Sequence, residues 1–354
     1  MNGAIERRMT SFCQRFGMQM PILLAPMAGA CPPALSIAVA NAGGLGSCGA
    51  LLLSPAAIAQ WAAEFRAGSN GGFAMNLWVP DPAPVRDPQR EAETRAFLGQ
   101  WGPSVAEDAG DAPLIDFAAQ CEALLACAPP IVSSVMGLYP PDFVARLKSR
   151  GIAWFANVST VTEARAAAAA GADVIVVQGM EAGGHRGAFD ADRAEAQMVG
   201  LFALLPAVVD AVDLPVVATG GIADGRGAAA ALILGASAVQ IGTGFLRSPE
   251  AGIPAAWADG LGRTLPEATQ VTRAFSGRPG RSIATEYVQA AAHGPATAPY
   301  PIQRALTAGM RTAAQKANDL SRMQAWAGQA AALARAEPAG VIANRIWREA
   351  QGLL

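Results

Sequence analysis

His185 has more to offer chemically than any other side chain in this sequence. It is one of two histidines in 354 residues, and it stands in a loop that also carries Gly179, Gly183, Gly184 and Gly187. A neutral imidazole there could accept an acidic C–H proton, and an imidazolium could hold an anionic substrate. The glycines let backbone amides approach a flat or anionic ligand closely. The bland alternative is a loop histidine hydrogen-bonded for structure alone. Glu181 and Arg186 read as charges that frame the loop, with Arg186 able to steer an anion. His293, within Ala-His-Gly-Pro, reads as an exposed turn residue.

Two further loops carry glycines where a phosphate could sit: Thr219-Gly220-Gly221 and Gln240-Ile241-Gly242-Thr243. Each alone is readable as a tight turn. Together, after two late strands of a barrel, they match the usual phosphate position, with amides as donors and the Thr243 hydroxyl beside them. A phosphate held there spreads the rest of a flavin mononucleotide (FMN) over the mouth, where the first, third and sixth strands end. Asn76 and Gln178 then offer donor and acceptor together to the polar edge of the ring. The backbone from Ala25 through Met27 to Gly29 lines its face. The alternative for Asn76 and Gln178 is that they satisfy neighbouring backbone groups.

These residues need a scaffold that brings strand ends together. Val174 to Val177 is an unalternated β-branched run, suited to a strand buried on both faces of a parallel sheet. Further strands are read at 21–29, where a turn closes it, and at 45–49, 72–79, 131–137, 153–158, 214–219 and 238–243, and helices are predicted between them, including 198–212 and 225–234. Ser54-Pro55 reads as a helix start, and Thr160 to Glu163 as a capping box. Eight strand-then-helix units imply an α/β fold, the (β/α)8 TIM barrel, rather than a doubly wound sheet. Residues 1–354 form a single domain in this reading. Residues 80–130, opened by Asp81-Pro-Ala-Pro84 and closed by Pro129-Pro130, form a helical and loop excursion after strand three, over the mouth. Residues 298–354 supply C-terminal capping helices, including an amphipathic stretch through Met323. Tyr300 and Gln329 could fold back over the site.

Composition narrows the function. Hydrophobic residues make up 52% and charged residues 15%, so a sizeable core is available. A net charge of −2 with no basic run leaves no footprint for nucleic acid or an anionic membrane surface. No apolar run is long enough for a membrane span, and no signal-peptide core follows Arg7-Arg8. The five cysteines form no CxxC pair, which favours neither a disulfide framework nor a metal site and points to the cytosol. Alanine-rich helices permit a homodimer.

The motifs Pro21-Ile-Leu-Leu-Ala-Pro-Met-Ala-Gly29, Asn76-Leu-Trp-Val-Pro80, Gln178-Gly-Met-Glu-Ala-Gly-Gly-His-Arg-Gly187, Ala218-Thr-Gly-Gly-Ile222, Gln240-Ile-Gly-Thr243 and Trp326-Ala-Gly-Gln329 resemble the nitronate monooxygenase family over nearly the whole chain. The resemblance implies an FMN-dependent TIM barrel that oxidises alkyl nitronates, or nitroalkanes, with O2 to a carbonyl compound and nitrite. The resemblance further implies that electrons pass to the flavin one at a time. It also implies that His185 is the active-site acid or base and that Asn76, Gln178, Gly183, Gly221 and Gln240 to Thr243 contact the flavin. Related flavoenzymes share the histidine motif, so the competing expectation is an NAD(P)H-dependent FMN reductase acting on quinones or enoyl thioesters. A non-catalytic flavin- or phosphate-binding barrel is the third. Ser133-Ser-Val-Met-Gly137 departs from the aromatic pattern many relatives carry after strand four.

Overall fold

The computed structural model describes residues 3–354. Its main sheet is built from β1 (Ile22–Leu24), β2 (Gly46–Gly49), β3 (Phe73–Trp78), β4 (Ile131–Val135), β5 (Ala153–Val158) and β6 (Val174–Gln178). Past a two-residue strand β7 (Gly184–His185), β8 (Val216–Thr219) and β9 (Ala238–Ile241) complete it. All neighbours run parallel, in the order β1-β9-β8-β6-β5-β4-β3-β2. A parallel bridge between Leu23 and Leu45 joins the two end strands. There the Leu24 N–H donates to Leu45 O at 2.9 Å and the Leu45 N–H to Ile22 O at 3.0 Å. The predicted (β/α)8 barrel is what forms.

Alternation along each strand decides what lies inside. Ile175 and Val177 point outward into the large cluster shared with the helices, whereas Val174 and Val176 join Leu23, Ala74, Ile131, Phe155, Val217 and Ala238 in the barrel interior. The helix Gly3–Phe16 closes that end: Phe12 and Phe16 pack on Phe155 with ring centroids 6.2 and 4.9 Å apart. On β3, β4, β5, β6, β8 and β9 the next inward position comes two residues beyond the last interior apolar residue. Those positions are Asn76, Ser133, Asn157, Gln178, Thr219 and Gln240. A ring of six polar side chains therefore faces the mouth directly above an apolar plug.

Several elements depart from the sequence-based expectation. The helix predicted over 198–212 runs only from Leu201 to Val209. Its start is set by tertiary contact, because the Glu181 carboxylate accepts from the Leu201 N–H at 2.9 and 3.1 Å. The Ser54 cap forms, accepting from the Ala57 N–H at 3.2 Å, and Thr160 accepts from the Glu163 N–H at 3.1 Å. The second half of the capping box is diverted. The Glu163 carboxylate accepts from Ser159 N–H at 2.6 Å and Phe189 N–H at 2.8 Å, anchoring the chain just beyond His185.

Within the excursion, the helix Phe117–Cys127 packs on the helix Pro55–Gly68 and belongs to the barrel's outer ring, which leaves 80–116 as the inserted part. The amphipathic stretch through Met323 is broken into Ile302–Leu306, Ala308–Lys316 and a short 3-10 turn at Leu320–Arg322. The last helix, Ala339–Gln351, lies against Gly225–Ile233 and Pro33–Asn41, so it fills the position in the ring that no helix directly after β9 occupies.

A small antiparallel sheet was not predicted. It contains β10 (Thr269–Thr272) and β11 (Gly280–Ile283) in the order β10-β11-β7, and it places His185 opposite Gly280. The stretch read as a free loop is thus a strand held from outside the barrel. Two residues, one of them glycine, carry no alternation from which a strand could be read.

Candidate active site

Ala25, Met27, Asn76, Gln178, Gly183, His185, Gly220, Gly221, Gln240, Gly242 and Thr243, all marked out in the sequence, border one cavity of about 230 Å³ at the barrel mouth, whereas Gly29, Arg186 and Ile241 do not. Ala25 and Met27 enter from the β1 turn, Gly183 and His185 from the β6–β7 segment, Gly220 and Gly221 from β8, and Gly242 and Thr243 from β9. The six polar side chains of the inward ring form its base. Ser133, Asn157 and Thr219 are members to which the sequence reading gave no role of their own. The register of inward positions, two residues after an interior apolar residue, is the signal that finds them.

The ring of His185 meets two indoles edge to face, its centroid 4.7 Å from that of Trp78 and 4.8 Å from that of Trp326. Its Nε2 lies 2.7 Å from Ser276 Oγ. Burial, followed by the charges of Arg278, Arg304 and Arg311, lowers its pKa to about 3. The imidazole is accordingly neutral at physiological pH. The sign of the linkage follows from the depressed value. Between the unfolded pKa near 6.5 and about 3, the unfolded chain binds a proton that the folded chain refuses, so stability present above this window is lost as pH falls through it. His185→Gln should therefore lose less in Tm than the wild type when pH is taken from about 7 to about 4. Equal losses in the two proteins would show that His185 titrates normally.

The two predicted amides are engaged differently. Asn76 Nδ2 donates to Ser133 O at 3.2 Å and to Ser133 Oγ at 3.0 Å, leaving its oxygen for the cavity. Gln178 is committed at both ends: Nε2 donates to His185 O at 3.1 Å and Oε1 accepts from Gly187 N–H at 2.7 Å. It therefore shapes the His185 segment as well as lining the cavity. Asn157 Nδ2 is buried without a partner, and an orphaned donor on a cavity wall is a place for a ligand acceptor.

The glycine rim suits an anion. Gly220 and Gly221 adopt φ of 111° and 69°, which a side chain would strain. No acceptor within the described chain is found for the N–H groups of Gly220, Gly221 and Gly242. Thr243 Oγ1 accepts from Gly328 N–H at 3.0 Å, so its hydroxyl proton is free to point at a ligand.

Charge completes the picture. Arg304 and Arg311 line the cavity and, among the described residues, no carboxylate does. Burial lowers the Arg311 pKa to about 10, still leaving it cationic. Both arginines arrive from a segment more than a hundred residues beyond His185, so no local spacing points to them. Arg186 is placed elsewhere. It is buried behind the loop and donates to Gly179 O at 2.8 Å, framing the segment without facing the cavity.

Of the remaining sequence candidates, His293 is an exposed turn residue, and Tyr300 packs on Trp78 with centroids 5.4 Å apart. Gln329 ties its N–H to Glu181 O at 2.9 Å. Ser133, Val135 and Met136, from the segment that departs from the aromatic pattern, line the cavity.

A neutral base packed against two aromatic rings, a ring of amides and hydroxyls, and an amide-rich rim fit a flat, polar-edged, phosphorylated ligand together with a small anion. The family model described as nitronate monooxygenase matches residues 10–349. A nitronate monooxygenase of Paraburkholderia phytofirmans is 38% identical over 342 residues, covering 94% of this chain and 93% of its own. The crystal structure of nitroalkane oxidase from Streptomyces ansochromogenes superposes with a TM-score of 0.88 at 36% identity, over 96% of this chain and 98% of that one. FabK from Thermotoga maritima is more distant, with a TM-score of 0.72 at 26% identity over 97% and 96% of the two chains.

Proposed function

This chain belongs to the nitronate monooxygenase family, and we propose that it binds FMN in the barrel-mouth cavity and there oxidises an alkyl nitronate, or the parent nitroalkane, with O2. It is an oxidoreductase whose products are a carbonyl compound and nitrite. The observation that carries the site assignment is the cavity's charge: a neutral histidine and two arginines face it and, among the described residues, no carboxylate does.

The amides of Gly220, Gly221 and Gly242 and the Thr243 hydroxyl would hold the phosphate. Asn157 Nδ2 and the free oxygen of Asn76 would meet polar atoms of the ring, with Ala25, Met27 and Gly183 against its surface. When bound, FMN supplies the acceptor for the substrate's electrons and passes them to O2. The protein's own part is positional and electrostatic. Arg304 and Arg311 attract the anionic nitronate, while Trp78 and Trp326 flank the reacting region with apolar surface. The neutral His185 accepts the C–H proton when the substrate arrives as a nitroalkane. Cysteine usage, five residues with no CxxC spacing, supports a cytoplasmic location.

The test is anaerobic. The purified yellow protein is mixed with an alkyl nitronate in one cell and with NADH in another, and the visible flavin band is followed. Bleaching by the nitronate is expected. Bleaching by NADH alone would overturn the proposal and move the chemistry to a nicotinamide-dependent reductase.

A further inference from the structure

Ser276 is buried, 1% exposed, and does not border the cavity, yet its hydroxyl is the only hydrogen-bonding partner of the His185 ring among the described residues. It stands in a turn fixed from several sides. The Ser276 and Gly277 N–H groups donate to Arg273 O at 3.2 and 2.8 Å. The Arg273 guanidinium donates to Gly277 O at 3.1 Å and to Ala191 O at 2.6 Å. Gly277 has a φ of 88°, and a Cβ there would come within 2.5 Å of Ala298 O. The turn cannot shift to suit the histidine; the histidine must suit the turn.

A serine hydroxyl has one proton to give. At Ser276 it has a carbonyl within reach, Arg278 O at 3.2 Å, while its oxygen accepts from the Arg278 N–H at 3.3 Å. With that proton directed at the carbonyl, a bare Nε2 would set two lone pairs against each other across 2.7 Å, so Nε2 has to bring a proton of its own. The chain then reads His185 Nε2–H to Ser276 Oγ–H to Arg278 O, with every donor used.

We infer that Ser276 is a positioning residue: it fixes His185 as the Nε2–H tautomer and so leaves Nδ1, which has no partner in the described chain, as the nitrogen that meets the substrate. Trp78 and Trp326 pack against the same ring, with centroids 4.7 and 4.8 Å from it, and add to its fixation. Ser276 is excluded as a nucleophile because it lacks access to the cavity. The inference deepens the proposed role of His185 and rests on it for its kinetic consequence, but the tautomer itself is measurable independently of activity.

With only two histidines in the chain, 15N-histidine labelling gives a spectrum of two imidazoles, and a His293→Asn variant removes one. In the flavin-loaded protein, two-bond 1H–15N correlation is expected to show a protonated Nε2 and a bare Nδ1 for His185. In Ser276→Ala the same ring is expected to show averaged shifts of both tautomers. Turnover of a neutral nitroalkane, which requires proton removal, should fall about tenfold, while Ser276→Cys recovers part of it. A wild-type spectrum with the proton on Nδ1 would overturn the assignment whatever the variants do. So would an unmixed Nε2–H pattern with unchanged turnover in Ser276→Ala. If the tautomer is as assigned but no nitroalkane or nitronate reacts, the proposed function fails and the positioning role of Ser276 stands.

Discussion

His185→Ala in the flavin-loaded enzyme is expected to lower kcat/KM for a nitroalkane by about 10²- to 10⁴-fold, the usual contribution of a positioned general base, with flavin content unchanged. The loss should be large because the described residues offer no substitute: the other titratable side chains on the cavity wall are the guanidiniums of Arg304 and Arg311, which carry donors and no acceptor. Flavin retention should survive, because the bond from Gln178 Nε2 goes to the His185 backbone carbonyl and not to its ring. His185→Gln, with similar reach and no basic nitrogen, should be nearly as inactive. Nitrite release and the ratio of flavin to protein, measured on the same preparations, separate the possibilities. Near-normal turnover in the alanine variant would remove His185 from the chemistry, and loss of flavin would make it a cofactor residue.

The second large effect is expected at a residue with no side chain. Gly183→Ala should yield protein that retains little flavin and unfolds at lower temperature. A Cβ at Gly183 would lie 2.4 Å from Gly328 N, 2.7 Å from the Ala327 carbonyl carbon and 2.8 Å from Thr243 Oγ1. Two of these atoms are backbone, so a side-chain rotation cannot relieve the contact. The His185 segment and the Trp326-to-Gln329 segment must separate, and the hydrogen bond from Gly328 N–H to Thr243 Oγ1 goes with them. Strain of this kind costs about 1–3 kcal/mol, and it falls on the cavity wall that would hold the phosphate. The flavin-to-protein absorbance ratio after gel filtration and a thermal melt report the two effects. A variant that keeps full flavin and an unaltered Tm would show that the close approach has no part in cofactor binding.

Much of the site was legible before the fold because glycines and amides at strand ends are local signals. A glycine pair after an apolar run says where a backbone must come close to something, and the position of that run in an eightfold repeat says at which end of a barrel it lies. Asn76, Gln178 and Gln240, proposed this way, line the cavity. Asn157 was not proposed, since Ala-Asn-Val has no motif; its meaning is its register, two residues beyond the interior Phe155.

By itself the sequence determined the barrel, the strands that build it and the mouth where the glycines gather, because hydrophobic periodicity and turn chemistry act over a few residues at a time. The partners of His185 were decided by the tertiary structure alone. Ser276 reaches it through β11, Trp78 from the end of β3, and Trp326, Arg304 and Arg311 from the C-terminal segment. None of these has a fixed spacing from residue 185. What brings them there is the packing of an inserted sheet and a returning tail against the barrel mouth, and the same packing lowers the pKa of the histidine.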